Sequence, residues 1–176
     1  DGALSGYENL LLFAKLCDVP RRERVARVEE ALALMELDQA AGHLVRTYSG
    51  GMIRRLEIAQ ATLHRPPVMF LDEPTVGLDP LAREAVWAHV RTLRERLGIT
   101  IMLTTHYLEE ADQLCDHLAI LHRGQLVVSG VPDQLEAQAG VATLDELFAR
   151  YAGGVMDGGE GYRETRNERL TAQRLG

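Results

Sequence analysis

Apolar residues recur at helical spacing through the first third of the chain, where three helices are predicted. The first runs from Ser5 to Leu16 and has a capping box, because Glu8 follows Ser5 by three residues. The second covers 21–35, with apolar positions three or four residues apart, and the third covers 52–64. This part of the chain is therefore predicted to be a group of packed helices.

Short continuous apolar runs take over in the middle of the chain. Residues 68–71 and 100–104 predict buried parallel strands, and the helix predicted over 81–97 between them stops at Gly98. A short helix and another strand, beginning at Leu118, follow. The order strand, helix, strand, helix, strand predicts an α/β fold in which a parallel sheet has a helical part beside it.

A hairpin and two helices are predicted after these strands. The hairpin covers 118–129 with its turn at 122–124, and the helices cover 132–139 and 144–151. From Gly153 onward the chain is Gly-rich and then charged, which predicts loose structure.

The composition limits the classes of function. The formal net charge of the 176 residues is −7, which argues against a general nucleic-acid binder because such proteins usually have a basic face. A membrane span needs about 20 mainly apolar residues, and no stretch has them, so any work at a membrane is expected to go through partners. Cys17 and Cys115 lie far apart, which predicts free thiols in a reducing compartment.

Two carboxylates, Asp72 and Glu73, follow the apolar run 68–71. Ligands of open parallel sheets bind at the carboxyl ends of the strands. An Asp there can hold Mg²⁺ beside nucleotide phosphates, and a neighbouring carboxylate can take a proton from an attacking water. Taken alone, the same pattern also fits a strand followed by an acidic turn.

Two other short patterns suit an anion. Ser49, Gly50 and Gly51 open a helix, where unpaired N–H groups and the positive end of the helix dipole attract negative charge. His106 follows the strand predicted over 100–104 and can donate to a phosphate or orient a water. Each pattern alone also has a structural interpretation, as a helix cap in the first case and a packed histidine in the second.

The order of these features resembles the ATP-binding-cassette (ABC) ATPases over roughly residues 1–150. Residues 48–52, Tyr-Ser-Gly-Gly-Met, resemble the signature motif, with Met where Gln is usual. Residues 68–72 look like the Walker B strand, 77–79 like the D-loop and His106 like the switch histidine. Arg54-Arg55, the segment 106–112 and the segment 144–148 are further similar to exporter ATPases of the daunorubicin-resistance type.

The resemblance implies a set of roles around ATP and Mg²⁺. Asp72 would position the metal, Glu73 would be the general base and His106 would contact the γ-phosphate. Ser49, Gly50 and Gly51 would contact ATP held by a second cassette, in a homodimer or heterodimer, and Asp79 would support the catalytic region. The other implied partner is a transmembrane permease of the ABC-2 type at the cytoplasmic face of the cell membrane, and no nucleic acid is implied.

The resemblance also divides the chain. Residues 1–65 correspond to the ABC helical subdomain, 66–131 to the later half of a RecA-like P-loop NTPase core, and 132–176 to C-terminal helices and a loose tail. The only lysine, Lys15, is not preceded by the glycines of a phosphate loop, Gly-x-x-x-x-Gly-Lys-Ser/Thr. We therefore expect a C-terminal fragment that lacks the Walker A and glutamine loops, binds ATP poorly and is inactive alone.

Two alternatives stay open at this point. One is a soluble ABC ATPase that acts on ribosomes or DNA, although neither a tandem cassette nor a long coiled coil is visible. The other is a non-catalytic remnant that only binds a partner, against which the presence of Glu73 and His106 argues.

Overall fold

The structure is a computed structural model that describes residues 1–152, and these form two compact units, 1–106 and 107 onward. In the first unit the helices and strands are α1 Gly6–Leu16, α2 Arg24–Leu34, α3 Gly50–Thr62, β1 Val68–Asp72, α4 Pro80–Leu97 and β2 Thr100–Thr104. In the second unit they are α5 Leu108–Leu114, β3 Leu118–His122, β4 Gln125–Gly130, α6 Pro132–Ala139 and α7 Leu144–Ala152.

The start of α1 is fixed by the predicted capping box. The Glu8 N–H donates to Ser5 Oγ at 3.2 Å, and the Ser5 N–H donates to Glu8 Oε2 at 2.8 Å. Two of the N–H groups that lack partners at a helix start are thereby satisfied. The prediction of a helix here is confirmed.

The second helix begins at Arg24 rather than at Arg21. Residues 21–23 form a turn instead, in which the Glu23 N–H donates to the carbonyl of Pro20 at 2.8 Å. The Arg24 side chain then donates from Nε to the carbonyl of Val19 at 2.8 Å. A helical apolar pattern alone does not reveal such a turn, so the predicted boundary was too early.

Helices α1, α2 and α3 pack on one another, and α4 packs on α2 and α3. The side chains at the centre of this packing are fully buried, among them Leu10, Val28, Met35, Val86 and Leu93. Removing each such side chain from water contributes about 2 kcal/mol to stability. The helical packing predicted from the sequence is therefore present in the first unit.

A histidine lies inside this helical packing. His89, on α4, is 5% exposed, and its Nε2 has no hydrogen-bond partner within residues 1–152. Burial lowers the pKa of His89, and the charge of Arg55 lowers it further. The imidazole is therefore held in its neutral form over a wider pH range than an exposed histidine would be.

Strands β1 and β2 pair in parallel, in a register that places Val68 beside Thr100 and Asp72 beside Thr104. The parallel pairing was predicted and is present, but the prediction that both faces of these strands are buried was wrong. Met69 and Leu71 are buried, whereas Phe70, on the opposite face, is 74% exposed. A continuous apolar run predicts cover on both faces, and the described residues cover only one of them.

The predicted hairpin of the second unit is confirmed. Strands β3 and β4 pair antiparallel around the turn Arg123-Gly124, and both turn residues have positive φ, 48° and 77°. Positive φ at both central residues is typical of the type I′ turn, which suits the twist of a two-residue hairpin. Leu118 and Leu147 are among the buried residues that join this hairpin to α6 and α7.

Strand β3 corrects one detail of the predicted topology. Within residues 1–152 it is hydrogen-bonded only to β4, so it does not extend the parallel pair β1–β2 as the alternation of elements suggested. The loose segment predicted from Gly153 lies outside the described residues. The domain boundaries at 65/66 and 131/132 stay predictions.

Candidate functional site

The two predicted carboxylates lie at the carboxyl end of β1. Asp72 is the last residue of the strand, and Glu73 leaves it with a φ of 45°, in the left-handed region. The Glu73 N–H donates to the carbonyl of Thr104 at 3.0 Å. This contact fixes the backbone at the point where the chain turns out of the sheet.

Glu73 and His106 meet beyond the strand ends. His106 Nδ1 lies 3.0 Å from Glu73 Oε2, and both side chains remain accessible, at 58% and 43% exposure. Even with the imidazole protonated, an ion pair in such an exposed setting contributes only about 0–1 kcal/mol, so the contact orients the two groups more than it stabilises the fold. The accessible carboxylate can accept a proton from a water, and the imidazole beside it can donate to an anion.

Thr104 connects Asp72 with Glu73. Its hydroxyl donates to Asp72 Oδ1 and accepts from the Glu73 N–H at 3.2 Å. The sequence prediction did not include this residue. A polar side chain at the carboxyl end of the neighbouring strand was the signal that could have revealed it.

The donor set at this strand end fits Mg²⁺. Residues 1–152 hold no cluster of three or more His, Cys, Asp or Glu side chains that could form a complete metal cage. Magnesium needs no such cage, since it is commonly bound through one or two carboxylates together with waters and substrate phosphates. Asp72, exposed at the end of β1, is the residue that would hold it.

The turn after Glu73 leads into α4. The Val76 N–H donates to the carbonyl of Glu73 at 3.2 Å, and Gly77 has a φ of 78°, which favours glycine. Asp79 caps α4, because its Oδ1 accepts from the Ala82 N–H at 2.9 Å. The predicted site residue Asp79 therefore has a structural role at the start of this helix.

Ser49, Gly50 and Gly51 form the start of α3. Ser49 Oγ accepts from the Met52 N–H at 3.3 Å, and the hydroxyl also carries a proton that it can donate outward. A Cβ on Gly50 would lie 3.8 Å from Leu78, and one on Gly51 would lie 3.1 Å from Ala82. The structure therefore brings the starts of α3 and α4 together, whereas Asp72, Glu73 and His106 form a separate group.

Tyr48 anchors the start of α3 from inside. Its side chain is 8% exposed, its hydroxyl donates to the carbonyl of Ala40 at 2.8 Å, and burial raises the pKa of the phenol. A Cβ on Gly6 would lie well inside van der Waals contact with the Tyr48 hydroxyl oxygen. A glycine is therefore required at this position of α1 as long as the tyrosine is present.

We expect the substitution Gly6→Ala to destabilise the first unit by about 1–3 kcal/mol, the usual cost of overpacking. Tyr48→Phe alone should cost about 1 kcal/mol, because the carbonyl of Ala40 loses its donor. The double variant should be less destabilised than the sum of the two, because the clashing oxygen is gone. Unfolding can be followed by the fluorescence of Trp87, the only tryptophan, which is 5% exposed. Strictly additive effects would contradict this account.

The sequence profile of the ABC transporter family matches residues 2–76. The chain is 44% identical over 148 residues to the daunorubicin resistance ATP-binding protein DrrA3 of Streptomyces coeruleorubidus. It is also 44% identical over 150 residues to the doxorubicin resistance ATP-binding protein DrrA of Mycobacterium tuberculosis. The chain belongs to the ABC transporter family of ATP-binding proteins. The resemblance found in the sequence is thereby confirmed.

The matches to these two resistance proteins cover most of this chain but less than half of each relative. For DrrA3 they cover 84% of this chain and 46% of the relative, and for DrrA 85% and 45%. Two solved ABC structures match the fold with a TM-score of 0.71 each. One, an ATP-binding subunit of an ABC transporter, is 32% identical, with 86% of this chain and 63% of that chain covered. The other, cbiO1 of Clostridium perfringens, part of the ABC transporter complex cbiONQ, is 27% identical, with 84% and 58% covered.

The fold prediction is confirmed by these ABC structures together with the parallel pair β1–β2: the chain is a partial P-loop NTPase fold. None of the helices within residues 1–152 is both long enough and apolar enough to span a membrane.

Proposed function

We propose that this chain carries the hydrolytic carboxylates of an exporter's ATP-binding subunit, and that the complete protein hydrolyses ATP with Mg²⁺. One observation carries the proposal: Glu73 Oε2 and His106 Nδ1 lie 3.0 Å apart at the end of the strand that also presents Asp72. An accessible base, a carboxylate that can bind a metal and a hydrogen-bond donor for an anion, all at one strand end, are what hydrolysis of the ATP phosphoanhydride needs.

Each side chain has a separate task in this proposal. Asp72 would hold Mg²⁺, which would supply positive charge beside the nucleotide phosphates. Glu73 takes a proton from the attacking water. The imidazolium form of His106 donates from Nδ1 to Glu73, which fixes the orientation of the carboxylate, and from Nε2 to the γ-phosphate. These roles rest on the contacts within the strand end, and on a general requirement of phosphoryl transfer for positioned charges.

A second cassette supplies the other side of the nucleotide in this proposal. The start of α3, with Ser49, Gly50 and Gly51, presents backbone N–H groups and a helix dipole that suit the γ-phosphate held by the partner. ATP then joins two cassettes, and hydrolysis separates them. Asp79 supports this arrangement by fixing the start of α4 beside the start of α3.

The grip on the β- and γ-phosphates comes from residues outside this chain. The 176 residues contain a single lysine, Lys15, and no Gly-x-x-x-x-Gly-Lys-Ser/Thr loop, so the chain alone should bind ATP poorly and hydrolyse none. We further propose that residues 1–65 contact a transmembrane permease of the ABC-2 type at the cytoplasmic face of the membrane. The cargo is then a drug or a lipid-like molecule, and the names of the daunorubicin and doxorubicin resistance proteins support the drug.

The test uses the complete protein together with its permease in inverted membrane vesicles. We expect Mg²⁺-dependent ATP hydrolysis and ATP-driven uptake of daunorubicin, followed by the fluorescence of the drug. Hydrolysis that responds to ribosomes or DNA, but not to the permease, would indicate a soluble ABC ATPase instead. A complete protein without any hydrolysis would be a non-catalytic remnant, and the proposal would be wrong.

A further inference from the structure

Thr104 contacts the candidate metal ligand, Asp72, and the candidate base, Glu73, at once. Its hydroxyl donates to Asp72 Oδ1 and accepts from the Glu73 N–H at 3.2 Å, and its carbonyl accepts from the same N–H at 3.0 Å. The parallel register places Thr104 directly beside Asp72. A single side chain on β2 thus connects the candidate metal ligand with the backbone of the candidate base.

A hydroxyl is the group that can make both contacts. An ionised carboxylate only accepts hydrogen bonds and a backbone N–H only donates them, so the group between them must donate one bond and accept the other. Serine meets this requirement as threonine does. Valine has nearly the same shape as threonine but can do neither.

These contacts act on geometry more than on stability. Thr104 and Asp72 are both exposed, so water can replace either bond at little cost to the fold. Water would not hold the same geometry, however. The bond to Oδ1 restrains rotation of the Asp72 carboxylate and leaves Oδ2 able to bind a ligand, and the Glu73 backbone is held at a φ of 45° that non-glycine residues seldom adopt.

We propose that Thr104 is a positioning residue, whose hydroxyl aims the Asp72 carboxylate at the metal and, together with the Thr104 carbonyl, holds Glu73 in its left-handed conformation. The inference rests on the proposed function of this strand end, and it extends that function to a residue on the neighbouring strand. Groups that orient a metal ligand typically change metal affinity or activity by about 10–100-fold when they are removed.

The experiment compares Thr104→Val and Thr104→Ser in the complete protein. The dissociation constant of Mn²⁺ is measured by electron paramagnetic resonance with a non-hydrolysable ATP analogue bound, and kcat and KM are measured with Mg²⁺. We expect Thr104→Val to weaken Mn²⁺ binding and to lower kcat by about tenfold each, with the KM for ATP unchanged. Thr104→Ser should keep wild-type values for all three.

Thr100→Val is the matched control. Thr100 is also an exposed threonine, lies on the same strand and is an even number of residues from Thr104, so both side chains point to the same face. It pairs with Val68, at the opposite end of the sheet from the carboxylates. This variant should bind Mn²⁺ and hydrolyse ATP as the wild-type protein does.

Several outcomes would overturn the inference. Thr104→Val with wild-type Mn²⁺ affinity and kcat shows that the hydroxyl positions nothing, and so does Thr104→Ser with defects equal to those of Thr104→Val. If Thr104→Val does not fold, Thr104→Cys replaces it, because a thiol is only a weak hydrogen-bond donor and acceptor. An Mn²⁺ affinity and a kcat below those of the wild-type protein then support the role of the hydroxyl. Wild-type values of both refute it.

The inference and the proposed function fail in different ways. An active wild-type protein with an equally active Thr104→Val overturns only the role of Thr104. A wild-type protein that binds Mn²⁺ but hydrolyses no ATP overturns the proposed function, while the Mn²⁺ comparison still decides the role of Thr104. A wild-type protein that does neither overturns both.

Discussion

Replacing Glu73 with Gln should lower the ATP turnover of the complete protein by about 10³-fold, within the range that a general base usually contributes. The amide has the size of the carboxylate but cannot accept a proton from the attacking water. ATP and Mg²⁺ binding should be unchanged, because Asp72 and the phosphate-binding groups are untouched. The Glu73→Gln protein should therefore accumulate with ATP bound and with its cassettes paired.

Turnover in single and multiple rounds, together with equilibrium ATP binding, measures this Glu73 effect. Glu84→Gln is the control, since Glu84 is an exposed carboxylate on α4 and the same change removes the same charge. The Glu84 variant should hydrolyse ATP normally. A Glu73→Gln protein with full turnover would show that the base is another group.

Replacing Gly50 with Glu should weaken ATP-dependent pairing of the cassettes by about 100-fold, through repulsion between the new carboxylate and the γ-phosphate. The fold should tolerate the change, because among residues 1–152 a Cβ at Gly50 meets only Leu78, at the ordinary distance of 3.8 Å. A negative charge at a helix start even favours the helix by about 0.3–1 kcal/mol. The variant therefore separates loss of phosphate binding from loss of structure.

Sedimentation of the Gly50→Glu protein in the Glu73→Gln background, with and without ATP, measures the pairing. Gly42→Glu serves as the control, because Gly42 is exposed and a Cβ there meets no atom of the described part of the chain within 4 Å. It adds the same charge outside the start of α3, and it should leave pairing intact. Normal pairing in Gly50→Glu would place the partner's phosphate elsewhere.

Most of the helices and turns could be predicted from the sequence, because they depend on interactions between neighbouring residues. The capping box of Ser5 and Glu8, the stop at Gly98 and the turn at Gly124 depend on residues close together in the chain, and the structure contains all three. Phe70 shows the limit of this reasoning. An apolar run predicts a buried strand, but which of its faces is covered depends on the rest of the structure.

The candidate site shows the same division. The residue types that suit ATP and Mg²⁺ were recognisable from their order along the chain, whereas the contacts of Thr104 depend on the register between β1 and β2. The left-handed backbone of Glu73 was likewise not predictable, because a Glu seldom adopts it and nothing in the local sequence demands it. That Thr104 contacts both Asp72 and Glu73 follows only from the pairing of the two strands in the structure.

The buried imidazole of His89 makes the helical packing of the first unit sensitive to acid. In an unfolded chain a histidine titrates near 6.5, whereas desolvation holds the pKa of His89 lower in the folded protein. As the pH falls below about 6.5, His89 becomes protonated in the unfolded chain but stays neutral in the folded chain. The free energy of unfolding therefore declines. At neutral pH this residue is mostly uncharged in both states, so the destabilisation of the helices that present Gly50 is then small.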